Sequence, residues 1–137
     1  MKASAALIGC ALLASCDSAP PDGPKSTPAQ VSANIPAWNG KEVMVEGWMG
    51  ECQGNDCAIY DSLDDLRTVE AGDSRSDSWS AAMSRRLAFG PSSEFDAIAA
   101  RKYMQRVIVR VIVTGKCKPF CIDRAGDAQP IQLYSAN

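Results

Sequence analysis

Six cysteines and no histidine define the chemistry open to this chain of 137 residues. Histidine is the commonest general base and a frequent metal ligand, so its absence removes the usual catalytic triads. The thiols remain. Four residues separate Cys52 from Cys57, and three separate Cys117 from Cys121. If the two pairs met in space, they would offer four thiolates to zinc, at spacings only loosely like those of zinc ribbons and knuckles. Thiol redox chemistry at Cys117 and Cys121 lacks the two-residue spacing and the helix N-terminus that lower a thiol pKa. In an oxidising compartment the same residues would form two short disulfides, Cys52–Cys57 and Cys117–Cys121.

The carboxylates offer less. Asp64 with Asp65, and Asp123 with Asp127, have neither the spacing of a calcium loop nor that of a catalytic pair. They read as solvated loop acids, with Asp123 and Arg124 forming a clamp on the last loop. Trp48 and Tyr60 are the residues that suggest a binding surface, with Arg110 beside them for an anionic or sugar-like ligand. The competing reading is that they are half-buried packing residues. No residue set amounts to an active site, no cofactor is implied, and the chain reads as a non-enzyme.

The element that must position these residues is a hairpin over 41–61. Val43, Val45, Gly47 and Met49 alternate with Met44, Glu46 and Trp48, so the first set faces a core and the second faces water. Gly47 in mid-strand predicts a bulge or bend. Gln53 to Asp56 supplies the turn, and Cys57 to Tyr60 the return strand. A polar, acidic loop follows over 62–78, with one helical turn at Leu63 to Val69. Residues 80–89 are ambiguous between helix and a short third strand at Arg86 to Phe89. Ser93 and Asp96 predict a helix start, with Phe95, Ile98 and Ala99 on one stripe and the end near Tyr103. Arg106 to Gly115 is the strongest strand signal. Its valines share one face, and its second face is largely apolar, which requires partial cover by the N-terminal segment or by a partner. Ile131 to Tyr134 is a last short strand.

The N-terminus is an address. Lys2 precedes an apolar run, Ala3 to Ala14, too short to span a bilayer comfortably. Leu13-Ala14-Ser15-Cys16 resembles the lipobox of bacterial lipoproteins. That resemblance implies cleavage before Cys16 and acylation of its sulfur; the alternative is an ordinary secretory signal that leaves Cys16 free. Asp17 corresponds to the inner-membrane retention residue of the enteric sorting rule. Residues 17–36 are rich in proline, serine and alanine without apolar periodicity, so they read as a disordered tether. The bases crowd the second half of the chain and the acids the first. They read as two solvated faces, with a basic strip for an anionic ligand or lipid headgroups as the alternative, and no aromatic residues interleave with the bases as nucleic-acid binding would require.

These elements predict a mostly β domain: a small five-stranded OB-like barrel with one helix between strands three and four. Residues 1–15 form the lipoprotein signal peptide, 16–37 the lipidated tether and 38–137 the domain. Cys52 to Tyr60 and Cys121 to Ala125, with the lipobox, resemble a group of small uncharacterised bacterial OB-like lipoproteins. The likeness covers roughly Trp38 to Tyr134 and implies fold and address but no activity. The expected function is a lipid-anchored binding or accessory module of the cell envelope, held at the membrane and facing the periplasm, with a protein or envelope component as partner. The alternatives are a structural lipoprotein that docks in an envelope complex and a zinc-binding or thiol-redox protein.

Overall fold

Strict alternation of burial along Glu42–Met49 makes this stretch a strand with one dry face. The computed structural model describes residues 19–117 and 126–136. In chain order its elements are α1 (Pro28–Ser32), α2 (Ile35–Trp38), β1 (Glu42–Met49), β2 (Ala58–Tyr60), α3 (Leu63–Glu70), α4 (Asp77–Arg85), β3 (Leu87–Ala88), α5 (Ser93–Ala100), β4 (Arg106–Val113) and β5 (Ala128–Ser135). The strands form one antiparallel sheet in the order β3-β2-β1-β4-β5.

β1 and β4 pair without interruption from Glu42 opposite Ile112 to Trp48 opposite Arg106. Val45, Met49, Val107, Val109, Val111 and Val113 are fully buried on the shared inner face. β5 is longer than the sequence predicts. It runs along β4 with a bulge between Arg110 and Val111. Pro130 lies at that irregularity, a position where a strand tolerates proline. No register shift accompanies Gly47 in the β1–β4 ladder, contrary to the expected bulge. The glycine answers to close approach instead: a Cβ there would lie 2.5 Å from the Tyr60 carbonyl oxygen and 2.9 Å from Pro28 Cγ.

The predicted barrel does not close. β2 has three residues and β3 two, too few to form a ladder with the eight of β5. Phe89, just past β3, forms an isolated parallel bridge with Ala128 of β5. There Gly90 N donates to Ala128 O and Asp127 N to Ala88 O, both at 2.9 Å. Gly126 permits this contact, because a Cβ would fall 2.2 Å from Gly90 N. α5 stands between β3 and β4 in sequence, as predicted, and packs against β5. Lys102 Nζ donates to Ser135 Oγ at 3.0 Å, and Gln129 Nε2 to Pro91 O at 3.5 Å, so the helical segment is tied to both ends of that strand. The cap of α5 is Ser92, whose side chain accepts from Phe95 N, and not Ser93. Phe95 and Ala99 are buried as expected, whereas Ile98 is exposed.

The acidic stretch holds more helix than the single turn expected at Leu63 to Val69: α3 runs over Leu63–Glu70, and α4 starts within the stretch at Asp77 and takes the helical option for the ambiguous residues as far as Arg85. Ser62 and Ser76 cap the two helices, and Asp64, Asp65 and Asp77 sit in their first turns, where the helix dipole favours negative charge. Arg85 grips Asp65 through two hydrogen bonds, Nε to Oδ2 at 2.8 Å and Nη2 to Oδ1 at 2.6 Å, which ties α4 to α3.

The tether ends earlier than residue 37. Ser26 forms a parallel bridge with Val45, its N–H donating to Met44 O at 2.8 Å while Glu46 N donates to Ser26 O at 2.9 Å. This fills the edge of β1 that β2 is too short to reach. Thr27 and Gln30 then form a reciprocal capping box for α1. Val31 is fully buried and Ile35 nearly so, both in the main core. A single buried valine contributes about 1.5–3 kcal/mol. Composition hid this role, since two buried aliphatic side chains at a four-residue spacing are too short a pattern to read as a helix. The segment packs on the inner face of the sheet; the outer face is covered in part by α3.

Two substitutions separate a packed segment from a loose one. Val31→Asp would bury an unpaired charge and should remove several kcal/mol of stability. Lys25→Asp, at an exposed position next to the first pinned residue, should leave the thermal midpoint within about a degree of the parent. Equal melts for both variants would contradict the observed packing.

Candidate functional site

The outer face of β1 carries Glu42, Met44, Glu46 and Trp48, all less buried than their inner-face neighbours. Trp48 stands opposite Tyr60 of β2 on one side and Arg106 of β4 on the other. It is half-buried against a cluster of Ala58, Tyr60, Leu66 and Ala88, with Leu63, Val69 and Met104 at its margin. Met104 adopts φ +61°, a conformation rare for a non-glycine residue, in the turn that delivers β4. Its N–H donates to Met49 O at 2.9 Å.

Tyr60 is buried, at 3% exposure. The Arg86 guanidinium lies 5.9 Å from its ring centroid, and Arg86 Nη1 donates to the Tyr60 hydroxyl at 3.2 Å. The same nitrogen lies 3.0 Å from Asp56 Oδ1. Burial pushes the Tyr60 hydroxyl above its ordinary pKa, and the adjacent Arg86 charge opposes that rise. Tyr60 therefore anchors the hairpin to β3 through the otherwise buried Arg86, and the open part of the aromatic surface belongs to Trp48. Nearby, the Tyr103 hydroxyl donates to Glu70, which pushes its pKa up to about 12.

Arg110 lies elsewhere. It stands opposite Met44 on β1 and Gln132 on β5. It lies four positions along β4 from Arg106, a span of roughly 13 Å at strand rise. Its side chain reaches Glu42 at 3.6 Å and Gln132 at 3.3 Å, and its buried Nε has no hydrogen-bond partner among the described residues. The guanidinium that the register brings beside Trp48 is that of Arg106, which pairs with Glu46 at 3.4 Å and is 56% exposed at its side chain. Arg106 and Arg110 have the same strand phase, so only the register distinguishes them, and register is not written in alternation alone.

Cys52 and Cys57 form a disulfide with Cα atoms 4.1 Å apart, as predicted. The turn between them is closed by reciprocal hydrogen bonds of Gln53 and Asp56, each 3.1 Å, with Gly54 at φ +57°. Cys117 is also disulfide-bonded. Its expected partner Cys121, the predicted lipidation site Cys16, and Asp123 and Arg124 lie outside the described residues. Sulfurs joined to each other offer no thiolate to a metal, which weighs against the four-cysteine zinc reading. Among the described residues, four of the bases are paired rather than gathered into a strip for an anionic ligand. Arg85, Arg86, Arg106 and Arg110 each face a carboxylate, namely Asp65, Asp56, Glu46 and Glu42.

Comparison with known proteins finds no matching family model, no matching curated protein and no matching solved structure.

The raised Tyr60 pKa has a sign that can be tested. A phenol whose folded pKa exceeds its unfolded value of about 10 contributes stability that is fully present below that value. That stability is lost as pH rises toward the folded pKa. Tyr60→Phe should therefore cost about 1 kcal/mol at neutral pH, through the lost Arg86 hydrogen bond. It should also melt with a shallower decline above about pH 10 than the parent. Denaturant melts at several pH values would measure both effects, and an unchanged alkaline slope would contradict this assignment.

Proposed function

We propose that this chain is a lipid-anchored module of the cell envelope, facing the periplasm, whose OB-like domain binds a protein or a peptidoglycan fragment without catalysing a reaction. The lipobox-like residues Leu13 to Cys16 support the address, and a disulfide in the first hairpin suits an oxidising compartment. The strand order, the helix after β3 and the parallel contact of Phe89 with Ala128 suit an OB barrel whose last seam has opened. Because Ser26 is pinned to β1, the chain passes from Cys16 to the sheet in ten positions, a reach of about 35 Å at most. The domain would work close to the membrane surface.

The observation that carries the binding reading is Trp48, partly buried and partly exposed, with Arg106 as its cross-strand neighbour. An indole beside a guanidinium suits a carbohydrate or acidic ligand, by stacking and charge-assisted hydrogen bonds. A second reading, structural docking in an envelope complex, is favoured by Ile112 and Ile131, which are 39% and 41% exposed on adjoining strands. Zinc or thiol-redox function is the weakest of the three, since Cys52, Cys57 and Cys117 are engaged in disulfides.

Two measurements on intact cells test this. A fatty-acid probe should label the parent chain but not Cys16→Ser; equal labelling of both would overturn the anchor. A photo-reactive residue at position 48 should yield a discrete adduct that muramidase or protease digestion identifies as glycan or protein. An adduct formed from position 112 and not from 48 would replace the binding reading with the docking one. Trp48→Leu, which keeps apolar volume but removes the ring, should weaken capture by roughly 1–3 kcal/mol if the contact is a stacked one.

A further inference from the structure

Two side chains from distant parts of the chain meet at the margin of the cluster that holds Trp48. Tyr103 lies in the turn between α5 and β4, and Glu70 is the last residue of α3. The Tyr103 hydroxyl donates to Glu70 Oε2 across 33 positions of the chain. Each is next in sequence to a residue packed, like Trp48, at the margin of the outer cluster: Val69 precedes Glu70, and Met104 follows Tyr103. The turn is also fixed to the end of β1. Met104 N donates to Met49 O, and Met49 N to Gln105 O, both at 2.9 Å. The bond therefore joins α3 to the turn on the face that carries the partly exposed indole. Tyr103 is itself 36% exposed. The Glu70 hydrogen bond raises the Tyr103 pKa most, with smaller rises from burial, Glu51 and Tyr60, so both of these residues lie near the hydroxyl.

We propose that Tyr103, held in place by Glu70, is a second ligand-contacting residue of the Trp48 site, and that the site takes an uncharged sugar chain. This rests on the reading of Trp48 as the binding face. Hydrogen-bonding capacity chooses the ligand class. The phenol proton is committed to Glu70, so the Tyr103 oxygen is left with lone pairs to accept. Glu46 and Glu70 are acceptors only, and Arg106 is a donor only. Arg106 is already faced by Glu46 at 3.4 Å, and Glu51 and Glu70 add negative charge near Tyr103. An anionic ligand brings acceptors and no donors. It would have to displace Glu46 from Arg106 and approach Glu70 against like charge. A sugar ring has hydroxyls that donate to the carboxylates and accept from Arg106, and apolar C–H faces that lie against aromatic rings. Two aromatic side chains held by the fold would meet such rings at little cost in side-chain entropy.

Saturation-transfer NMR on the full chain in detergent micelles tests this with four probes. Three are neutral, N-acetylchitotetraose, cellotetraose and maltotetraose; the fourth, tetragalacturonate, is anionic. At least one neutral tetramer should bind, and tetragalacturonate should bind about tenfold more weakly or not at all. Tyr103→Ala should weaken the neutral tetramer about tenfold, and Tyr103→Phe, which keeps the ring, about threefold. Glu70→Gln keeps an acceptor for the Tyr103 hydroxyl but removes the charge. It should narrow the preference for neutral over anionic sugar, which a merely structural role of Glu70 would leave unchanged. If Tyr103→Ala does not fold, Tyr103→Phe and Glu70→Gln still decide. Failure of all three neutral tetramers to bind, tighter binding of tetragalacturonate, an unaltered preference in Glu70→Gln or full affinity in both Tyr103 variants would overturn the proposal. A protein adduct from position 48 with no sugar bound would overturn it and leave Trp48 as the binding face. Sugar binding unchanged by Trp48→Leu would remove that reading and the proposal with it.

Discussion

The uninterrupted ladder between β1 and β4 is the constraint on which the other elements depend. Seven residue pairs hold without a shift from Glu42 opposite Ile112 to Trp48 opposite Arg106. Alternation then places Val43, Val45 and Met49 with Val107, Val109, Val111 and Val113 on one face, where all are buried. A slip by one residue would turn the whole valine row to water, so the hydrophobic pattern and the register reinforce each other. What flanks this pair is shorter or interrupted. β2 touches β1 at two positions, β3 has two residues, and β5 carries a bulge. The open seam, the covering α5 and the pinned Ser26 each compensate for a strand that does not reach the length of its neighbour.

The same ladder decides what the outer face can do. Because Trp48 is paired with Arg106, its exposed side has a cation to hand that is only loosely held by Glu46. Because Tyr60 is its other neighbour, that side of the indole is packed and anchored through Arg86 and Asp56. Structure and candidate function therefore share residues. The hairpin is clamped by a disulfide at its tip and by a buried guanidinium at its base, which fixes the indole at low entropic cost on binding.

Much of the central sheet was legible in the sequence, because β1 and β4 alternate over eight residues and the valines at 107–113 repeat without a break. The Cys52–Cys57 bond was legible from its turn residues. Other features were not. Ser26 and Val31 sit in a proline- and serine-rich stretch, and single buried residues in such a context leave no periodic trace. The helices α3 and α4 were legible only in part, as one turn at 63–69 and an ambiguous 80–89, although Ser62 and Ser76 carried the cap signal. The extent of closure depends on how long β2 and β3 remain paired, which is settled by tertiary packing and not by propensity. The placement of Arg106, and not Arg110, beside Trp48 followed from register alone.

Native-state hydrogen exchange, read by mass spectrometry on the chain lacking its first 15 residues, tests the central claim most directly. The account predicts that amides of 42–49 and 106–113 exchange last and together, through global unfolding, and that amides of 27–32 are protected as part of the same folded unit. Exchange of 107–113 well ahead of global unfolding, or exchange of 27–32 at the rate of a free peptide, would contradict it.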